Sequence, residues 1–282
     1  MSPRSFTTPA GISGSVSGSG PALLLLHGGP ALTDYMDLLG DEVEGWHAVR
    51  YQQRSLAPSP TGGPFTIEQH VTDAIAVLDT LQADQAVVLG HSWGGHLALH
   101  LALAHPDRVT GLVLVEGLGA VGDGGQVDLG RNLSERLTPD AAARYAEVAA
   151  RLTGPDPADE DALESLALVW PGYYADPATA PQIPAHLRVS LAGYAGTFAS
   201  VFEHLAAGFA ESLRDLAVPA VFVLGEKSPM PVSQGRQTAA LLPQAEVTVV
   251  PGAGHLPWHE RPGCVAAALA RVRELAASAH PA

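Results

Sequence analysis

Six short apolar runs recur along the chain, and each is continuous rather than alternating with polar residues. They cover residues 22–27, 47–51, 86–91, 111–116, 220–225 and 246–250. Continuous apolar runs of this length are typical of strands in a parallel sheet that is covered on both faces. The pattern therefore predicts an α/β fold with a mostly parallel central sheet and helices on both faces.

Helical patterns separate these runs. Residues 66–82 open on a capping box formed by Thr66 and Gln69, and residues 94–104 are apolar on most faces, as in a buried helix. Alternation of strands and helices in this manner is typical of an open α/β sheet.

The alternation stops between residues 118 and 210, where no strand is predicted. Helices are predicted there from Pro139 to about Leu152, over roughly 158–170 and over roughly 194–208. We therefore predict a core of residues 1–117 and 211–282, with residues 118–210 inserted as a helical cap. Half of the 16 aromatic side chains fall in this insertion. Most are expected to pack the helices, and some to line a substrate pocket, for which the candidates are Trp170, Tyr173, Phe198 and Phe202.

The sequence Gly90-His91-Ser92-Trp93-Gly94 follows a predicted strand directly and precedes a predicted helix. In a G-x-S-x-G turn the serine sits on a sharp strand-to-helix bend, and both Gly90 and Gly94 are needed because side chains there would collide with backbone. The helix N-terminus behind the turn favours developing negative charge. We therefore predict that Ser92 is a nucleophile.

Four segments together resemble the α/β-hydrolase fold superfamily, and within it the proline-iminopeptidase-like branch. They are "LLLLHGGP" (23–30), "YQQRSLAPS" (51–59), "GHSWGG" (90–95) and "PGAGHLPWHERP" (251–262). The resemblance covers about residues 20–117 and 215–275. It implies that Gly29 and Trp93 donate backbone N–H groups to an oxyanion, with Gly28 allowing the close approach.

His255 is the best candidate for the catalytic base among the 12 histidines. It follows the last predicted strand after a short glycine-rich loop and comes last in the order serine, acid, histidine. His259, four residues further on, is the local alternative.

The sequence departs from the branch pattern at four positions. Gln52 stands in place of an aspartate, Ser55 and Ala57 replace two glycines, and Ser228 occupies the place of the usual triad aspartate. Because serine cannot ionise, the acid must come from elsewhere or be absent. Glu116, which ends the strand after the nucleophile helix, is the favoured acid.

Two other possibilities for the acid stay open. Glu226 lies two residues before Ser228, although the turn would have to be remodelled to aim it inward. Alternatively Ser228 or water orients His255 without any acid, at a cost in rate.

His96 and His100 lie four residues apart on a helix, but position 97 is leucine where a zinc motif has glutamate. We expect packed histidines there, no metal and no cofactor. The net charge of −14 disfavours a nucleic-acid partner, and no basic amphipathic or bilayer-length apolar stretch indicates a membrane. A single cysteine and the absence of a visible secretory signal suggest a cytoplasmic protein. The oligomeric state is not predicted.

These observations predict a serine hydrolase that cleaves a small hydrophobic ester, lactone or amide through an acyl-enzyme on Ser92. A proline-iminopeptidase-type aminopeptidase is one alternative, although it would need cap carboxylates for the substrate's amino group, and Glu203 is the available one. A binding protein with weakened catalysis is a second alternative. Acyl transfer and carbon–carbon bond hydrolysis are further reactions open to the same fold.

Overall fold

In the computed structural model, which describes residues 3–279, one sheet has the strand order β1-β2-β4-β3-β5-β6-β7-β8. Its strands are β1 Arg4–Thr7, β2 Ser13–Ser17, β3 Ala22–Leu26, β4 His47–Tyr51, β5 Ala86–His91, β6 Val109–Val115, β7 Ala220–Gly225 and β8 Ala245–Val250. Pairing is parallel from β4 through β3 and β5 to β8, whereas β1 and β2 add antiparallel strands at one edge. The predicted α/β class and the six predicted strands are confirmed.

The helices are α1 Ile67–Thr80, α2 Trp93–Ala104, α3 Gln126–Glu135, α4 Pro139–Leu152, α5 Asp159–Val169, α6 Leu191–Ala206, α7 Phe209–Ser212, α8 Val232–Ala239, α9 Pro257–Glu260 and α10 Cys264–Ala279. Short 3-10 segments cover Met36–Val43, Trp170–Tyr173, Pro177–Thr179 and Leu213–Asp215. The predicted Thr66 cap is present, since its hydroxyl accepts a hydrogen bond from Gln69 N at 3.4 Å. Thr138 caps α4 in the same way.

The strand side chains are buried on both faces of the sheet because helices cover each face. On one face Val88, Leu112 and Phe222 pack against apolar residues of α1, α2 and α8. On the other face Leu89 and Val113 pack against α10 and the Met36–Val43 segment. Two apolar layers therefore enclose β5 and β6, the strands that end at the candidate site.

The two edges of the sheet differ from the sequence expectation. Strands β1 and β2 were not predicted, because their serine- and glycine-rich sequences lack an apolar run. Strand β8 was expected to be buried on both faces, but Val247 is 38% exposed because β8 is an edge strand that pairs only with β7.

Helices α3 to α7 all lie between β6 and β7, which pair directly in the sheet. About 100 residues therefore separate two neighbouring strands. The division into a core and a cap with limits at 118 and 210 remains a prediction. Within the described residues, no helix is both long enough and apolar enough to cross a bilayer.

The buried carboxylate of Glu42 holds the start of α10 against the Met36–Val43 segment. It accepts hydrogen bonds from the backbone N–H groups of Gly263, Val265 and Ala266. These donors are left without partners by the helix itself, so the carboxylate acts as a cap supplied from a distant part of the chain.

A buried ion pair between Arg54 and Asp73 connects the loop after β4 to helix α1. The guanidinium of Arg54 makes two hydrogen bonds to the carboxylate of Asp73, at 2.6 and 2.7 Å, and both side chains are almost fully buried. Gln69 Nε2 donates to the same carboxylate at 3.1 Å. Removing one partner of such a pair leaves an uncompensated charge in the interior.

We predict that Arg54→Met lowers the free energy of unfolding by about 3–5 kcal/mol, because Asp73 then stays buried without its cation. The double variant Arg54→Met/Asp73→Leu should show a smaller decrease in the free energy of unfolding, because no charge is left buried without a partner. Urea denaturation measures both. Arg271→Met is the matched control, since Arg271 makes a similar two-bonded pair with Glu246 on the surface and should change little. Equal losses at Arg54 and Arg271 would refute the prediction.

Candidate active site

Ser92 lies at the junction of β5 and α2 in a backbone conformation that non-glycine residues rarely adopt, with φ 55° and ψ −121°. Its backbone is held by hydrogen bonds from Ser92 N to Val115 O and from Leu118 N to Ser92 O, both 3.0 Å. A Cβ atom at Gly90 would lie 2.2 Å from Gly94 O, and one at Gly94 would lie 2.0 Å from Leu26 O. The turn therefore requires glycine at both positions.

Two backbone N–H groups near Ser92 are free to bind a ligand. Gly28 N donates to the Tyr35 hydroxyl at 2.9 Å, whereas the N–H groups of Gly29 and Trp93 have no acceptor among residues 3–279. A Cβ atom at Gly28 would lie 2.8 Å from Ser92 Cβ, so this turn approaches the serine closely. Trp93 N begins α2, where helix N–H groups favour negative charge. The arrangement fits an oxyanion-binding site.

His255 is buried beside Glu116, and its Nδ1 atom lies 3.1 Å from Glu116 Oε2. Both hydrogen bonds of its ring in the described residues involve Nδ1, so Nε2 is available to a reacting group. Its backbone N donates to Tyr173 O at 2.7 Å. Burial lowers the pKa of His255 to about 3, which keeps the imidazole neutral and able to accept a proton.

The carboxylate of Glu116 is held by three donors at the end of β6. Gly225 N donates to Oε1, the Ser228 hydroxyl donates to Oε2, and His255 Nδ1 faces Oε2. The backbone of Glu116 is in the left-handed region at φ 52° and its N donates to Val223 O at 2.9 Å. Burial raises the pKa of Glu116 to about 8, while the hydrogen bonds from Ser228 and Gly225 act in the opposite direction.

Ser228, which stands where the usual acid was expected, belongs to this cluster. Its hydroxyl contacts Glu116, lies 3.4 Å from His255 Nδ1 and accepts a hydrogen bond from Met230 N at 3.1 Å. The alternative acid Glu226 points away, because its carboxylate accepts from Gly252 N at 3.0 Å and lies near the Lys227 ammonium on the surface. The geometry therefore pairs His255 with Glu116 and not with Glu226.

A buried network of Tyr35 and His91, which the sequence analysis missed, connects the glycine turn to the histidine loop. The Tyr35 hydroxyl donates to His91 Nδ1 at 2.7 Å, and His91 Nε2 donates to His255 O at 2.8 Å. Since Tyr35 also accepts from Gly28 N, one chain of hydrogen bonds positions both loops around Ser92. The only sequence signal was that His91 lies inside the nucleophile pentapeptide.

A small cavity at Ser92 adjoins a larger one. The smaller, of about 60 Å³, is lined by Ser92 and His255. The larger, of about 420 Å³, shares Gly29, Leu166 and Tyr173 with it and extends beneath helices α3 to α5. A substrate that reaches Ser92 therefore has room for an extended group alongside the reacting atoms.

The family model for the alpha/beta hydrolase fold matches residues 21–262. This chain belongs to the α/β-hydrolase fold family. Relatives of this chain include a proline iminopeptidase of Elizabethkingia meningoseptica, 29% identical over 54% of the chain and 51% of the relative, and lipase LipV of Mycobacterium tuberculosis, 36% identical over 39% and 42%. The matches thus cover about half or less of these relatives' length.

Solved structures share the fold over nearly the whole chain. A proline iminopeptidase from Mycobacterium smegmatis has a TM-score of 0.69 at 20% identity, covering 98% of this chain and 100% of that one. VinJ has a TM-score of 0.70 at 21% identity, covering 96% and 99%. Identities this low establish the fold and leave the substrate open.

The four aromatic residues predicted to line a pocket divide into two pairs. Trp170 and Tyr173 line the cavity at Ser92, and the Tyr173 ring lies 5.2 Å from the His255 ring. Phe198 and Phe202 line neither cavity: Phe198 packs into the core, and Phe202 is 46% exposed on the outer face of α6. Phe198 and Phe202 thus lie outside both cavities, since the spacing of residues along a helix does not tell which way the helix faces.

Two of the departures from the family pattern, Gln52 and Ser55, can be described from their surroundings. The Gln52 amide accepts from Asp34 N at 2.9 Å and donates to Leu32 O at 3.0 Å, whereas an ionised aspartate could only accept. Ser55 adopts φ 96°, the left-handed conformation that glycine takes easily.

The other candidate histidines lie outside the site. His96 and His100 are buried with their Nε2 atoms 3.2 Å apart, and His259 Nδ1 is 3.0 Å from the Tyr174 hydroxyl. In the part of the chain that the structure describes, no group of three or more histidine, cysteine or acidic side chains is arranged to hold a metal ion.

We predict that Glu116→Gln stabilises the folded protein, relative to the wild type, increasingly as the pH rises from 5 to 8. Between the ordinary pKa of 4.5 and the folded value of about 8, folded Glu116 holds a proton that the unfolded chain has released, so the contribution of Glu116 to the unfolding free energy falls as the pH rises. Glutamine removes this dependence.

Urea denaturation at several pH values measures the difference between the variant and the wild type. Glu226→Gln, a surface carboxyl near the same turn, is the control and should show no such trend. If the difference in unfolding free energy between Glu116→Gln and the wild type stays constant with pH, the expectation is contradicted.

Proposed function

We propose that the chain is a serine hydrolase that cleaves a small hydrophobic ester, lactone or amide through an acyl-enzyme on Ser92. The observation that carries the proposal is that Ser92 and His255 line one cavity and that His255 is paired with the buried Glu116 behind it. The two unpaired N–H groups of Gly29 and Trp93 support it.

In the first half of the reaction, Ser92 Oγ attacks the carbonyl carbon and its proton passes to His255 Nε2. The carbonyl oxygen becomes an oxyanion that the N–H groups of Gly29 and Trp93 stabilise. Once Glu116 has ionised, above its raised pKa of about 8, its carboxylate accepts the hydrogen bond from Nδ1–H and stabilises the imidazolium, which is the cation that it otherwise lacks. The imidazolium then protonates the leaving alcohol or amine as the carbonyl re-forms.

In the second half, a water molecule gives a proton to His255 Nε2 and attacks the acyl-enzyme carbonyl carbon. The same oxyanion site holds the second tetrahedral intermediate. Collapse of this intermediate returns the proton from His255 to Ser92 Oγ and releases the carboxylic acid.

An aminopeptidase remains the second candidate, because proline iminopeptidases are among both the curated relatives and the solved neighbours. Glu203, the cap carboxylate considered for an amino group, lines neither cavity. The ester-type substrate is therefore the better supported.

A fluorophosphonate probe is expected to label the wild-type protein at Ser92, since the probe reacts with a serine that has an adjacent base and an oxyanion site. Ser92→Ala should not be labelled, and mass spectrometry of the labelled peptide identifies the site. Lack of labelling of the folded wild type, or undiminished labelling of the variant, would count against the proposal.

Glu116→Gln is expected to lower kcat/KM for an aryl ester by about 10³- to 10⁴-fold, because the amide neither fixes the tautomer of His255 nor stabilises its cation. Adding Ser228→Asp to that variant should restore part of the rate, since position 228 also reaches Nδ1. Glu226→Gln is the control and should keep wild-type kinetics. A larger loss at Glu226 than at Glu116 would reverse the assignment of the acid.

A further inference from the structure

The larger cavity beside Ser92 has an uncharged wall. Seventeen residues line it, and none is Asp, Glu, Lys, Arg or His. Most are aliphatic, and the polar ones are Gln126, Ser165 and three tyrosines. In the smaller cavity the ionisable side chains other than tyrosine are His91 and His255, which the site already uses.

The helices that form this wall do carry charged residues, but these residues do not face the cavity. Helix α4 carries Arg144 and Arg151, and α5 carries Asp161 and Glu164. These side chains form ion pairs with each other, from Arg144 to Glu164 at 2.5 Å and from Arg151 to Asp161 at 2.6 Å, outside the cavity. The same two helices therefore turn charged residues to one side and uncharged residues to the cavity.

The tyrosines of the wall do not supply charge either. Burial raises the pKa of Tyr173 and of Tyr194 above the ordinary value, so both hydroxyls stay neutral in the physiological range. A substrate ammonium or carboxylate placed in this cavity would lose its hydration without meeting an opposite charge, which costs several kcal/mol.

We propose that this hydrolase selects substrates whose longer arm is neutral and mostly apolar, and that it rejects an ammonium or a carboxylate at the far end of that arm. The inference rests on the proposed function and narrows it.

Three p-nitrophenyl esters of equal reach test the acyl side: the hexanoate, the 6-aminohexanoate and the hydrogen adipate. Three S-acetyl thioesters, of hexanethiol, 6-aminohexanethiol and 6-mercaptohexanoate, test the leaving-group side. The neutral member of at least one series is expected to exceed both charged members in kcat/KM by about 100-fold or more. A charged member that equals or exceeds the neutral one in both series, or is the best substrate in either, would overturn the inference.

Failure of the inference and failure of the proposed function give different results. Hydrolysis without discrimination by charge would remove the inference alone, whereas absence of both turnover and fluorophosphonate labelling at Ser92 would remove the proposed function. If Ser92 is labelled but ester turnover is slow, the preference can be measured by comparing the labelling rates of two fluorophosphonates, one with a hexyl arm and one with a 6-aminohexyl arm.

A matched pair of variants on α5 connects the preference to the wall. Ser165 lines the cavity and is half-buried, whereas Ala167, two residues on, is exposed and lies outside it. Ser165→Arg should raise kcat/KM for the hydrogen adipate ester relative to the hexanoate by about 10-fold or more, and Ala167→Arg should not. Gln126→Arg, at a second half-buried position of the wall, provides the same test if Ser165→Arg does not fold. Equal ratios in a folded wall variant and in Ala167→Arg would contradict the assignment of this cavity to the substrate.

Discussion

The centre of this protein depends on keeping the carboxyl group of Glu116 buried at the end of β6. The group is almost fully buried, and its polar partners are Gly225 N, the Ser228 hydroxyl and His255 Nδ1. Each comes from a different part of the chain, since Gly225 ends β7, Ser228 lies in the loop after it and His255 follows β8. The sheet must bring β6 and β7 into register before these donors can meet one carboxylate. Alignment of the strands and assembly of the site are therefore the same event.

The parts that could be predicted from the sequence are those in which a local pattern determines the structure. The apolar runs identified β3 to β7 because a strand covered on both faces has no polar side to alternate with. The Gly90–Gly94 pentapeptide identified the Ser92 turn because the collisions it avoids are between near neighbours in the chain. Glu116 was reached indirectly, from the lack of an ionisable group at Ser228. In the structure Glu116 and Ser228 both lie beside His255 Nδ1. The Ser228 hydroxyl donates a hydrogen bond to the Glu116 carboxyl group and does not take its place.

The features that could not be predicted depend on contacts between distant residues or on the direction a helix faces. The link from Tyr35 through His91 to His255 joins three loops, and no spacing in the sequence indicates it. Phe198 and Phe202 have the same chemical character as Trp170 and Tyr173, yet only the latter pair reaches the cavity. The edge strands β1 and β2 were missed because their pairing depends on backbone hydrogen bonds and on a few packed side chains such as Val16.

The insertion between β6 and β7 also has a consequence for the newly made chain. About 100 residues are synthesised after β6 before its partner β7 begins. At 5–20 residues per second, β6 stays for roughly 5–20 s with one edge unpaired and with its apolar side chains only partly covered. An exposed apolar edge of this kind can pair with other chains. Helices α1 and α2 are made before β6 and can shield one face of the sheet during this interval. Helix α10, which covers the other face, is made last. The insertion thus exposes the unfinished sheet to aggregation during synthesis.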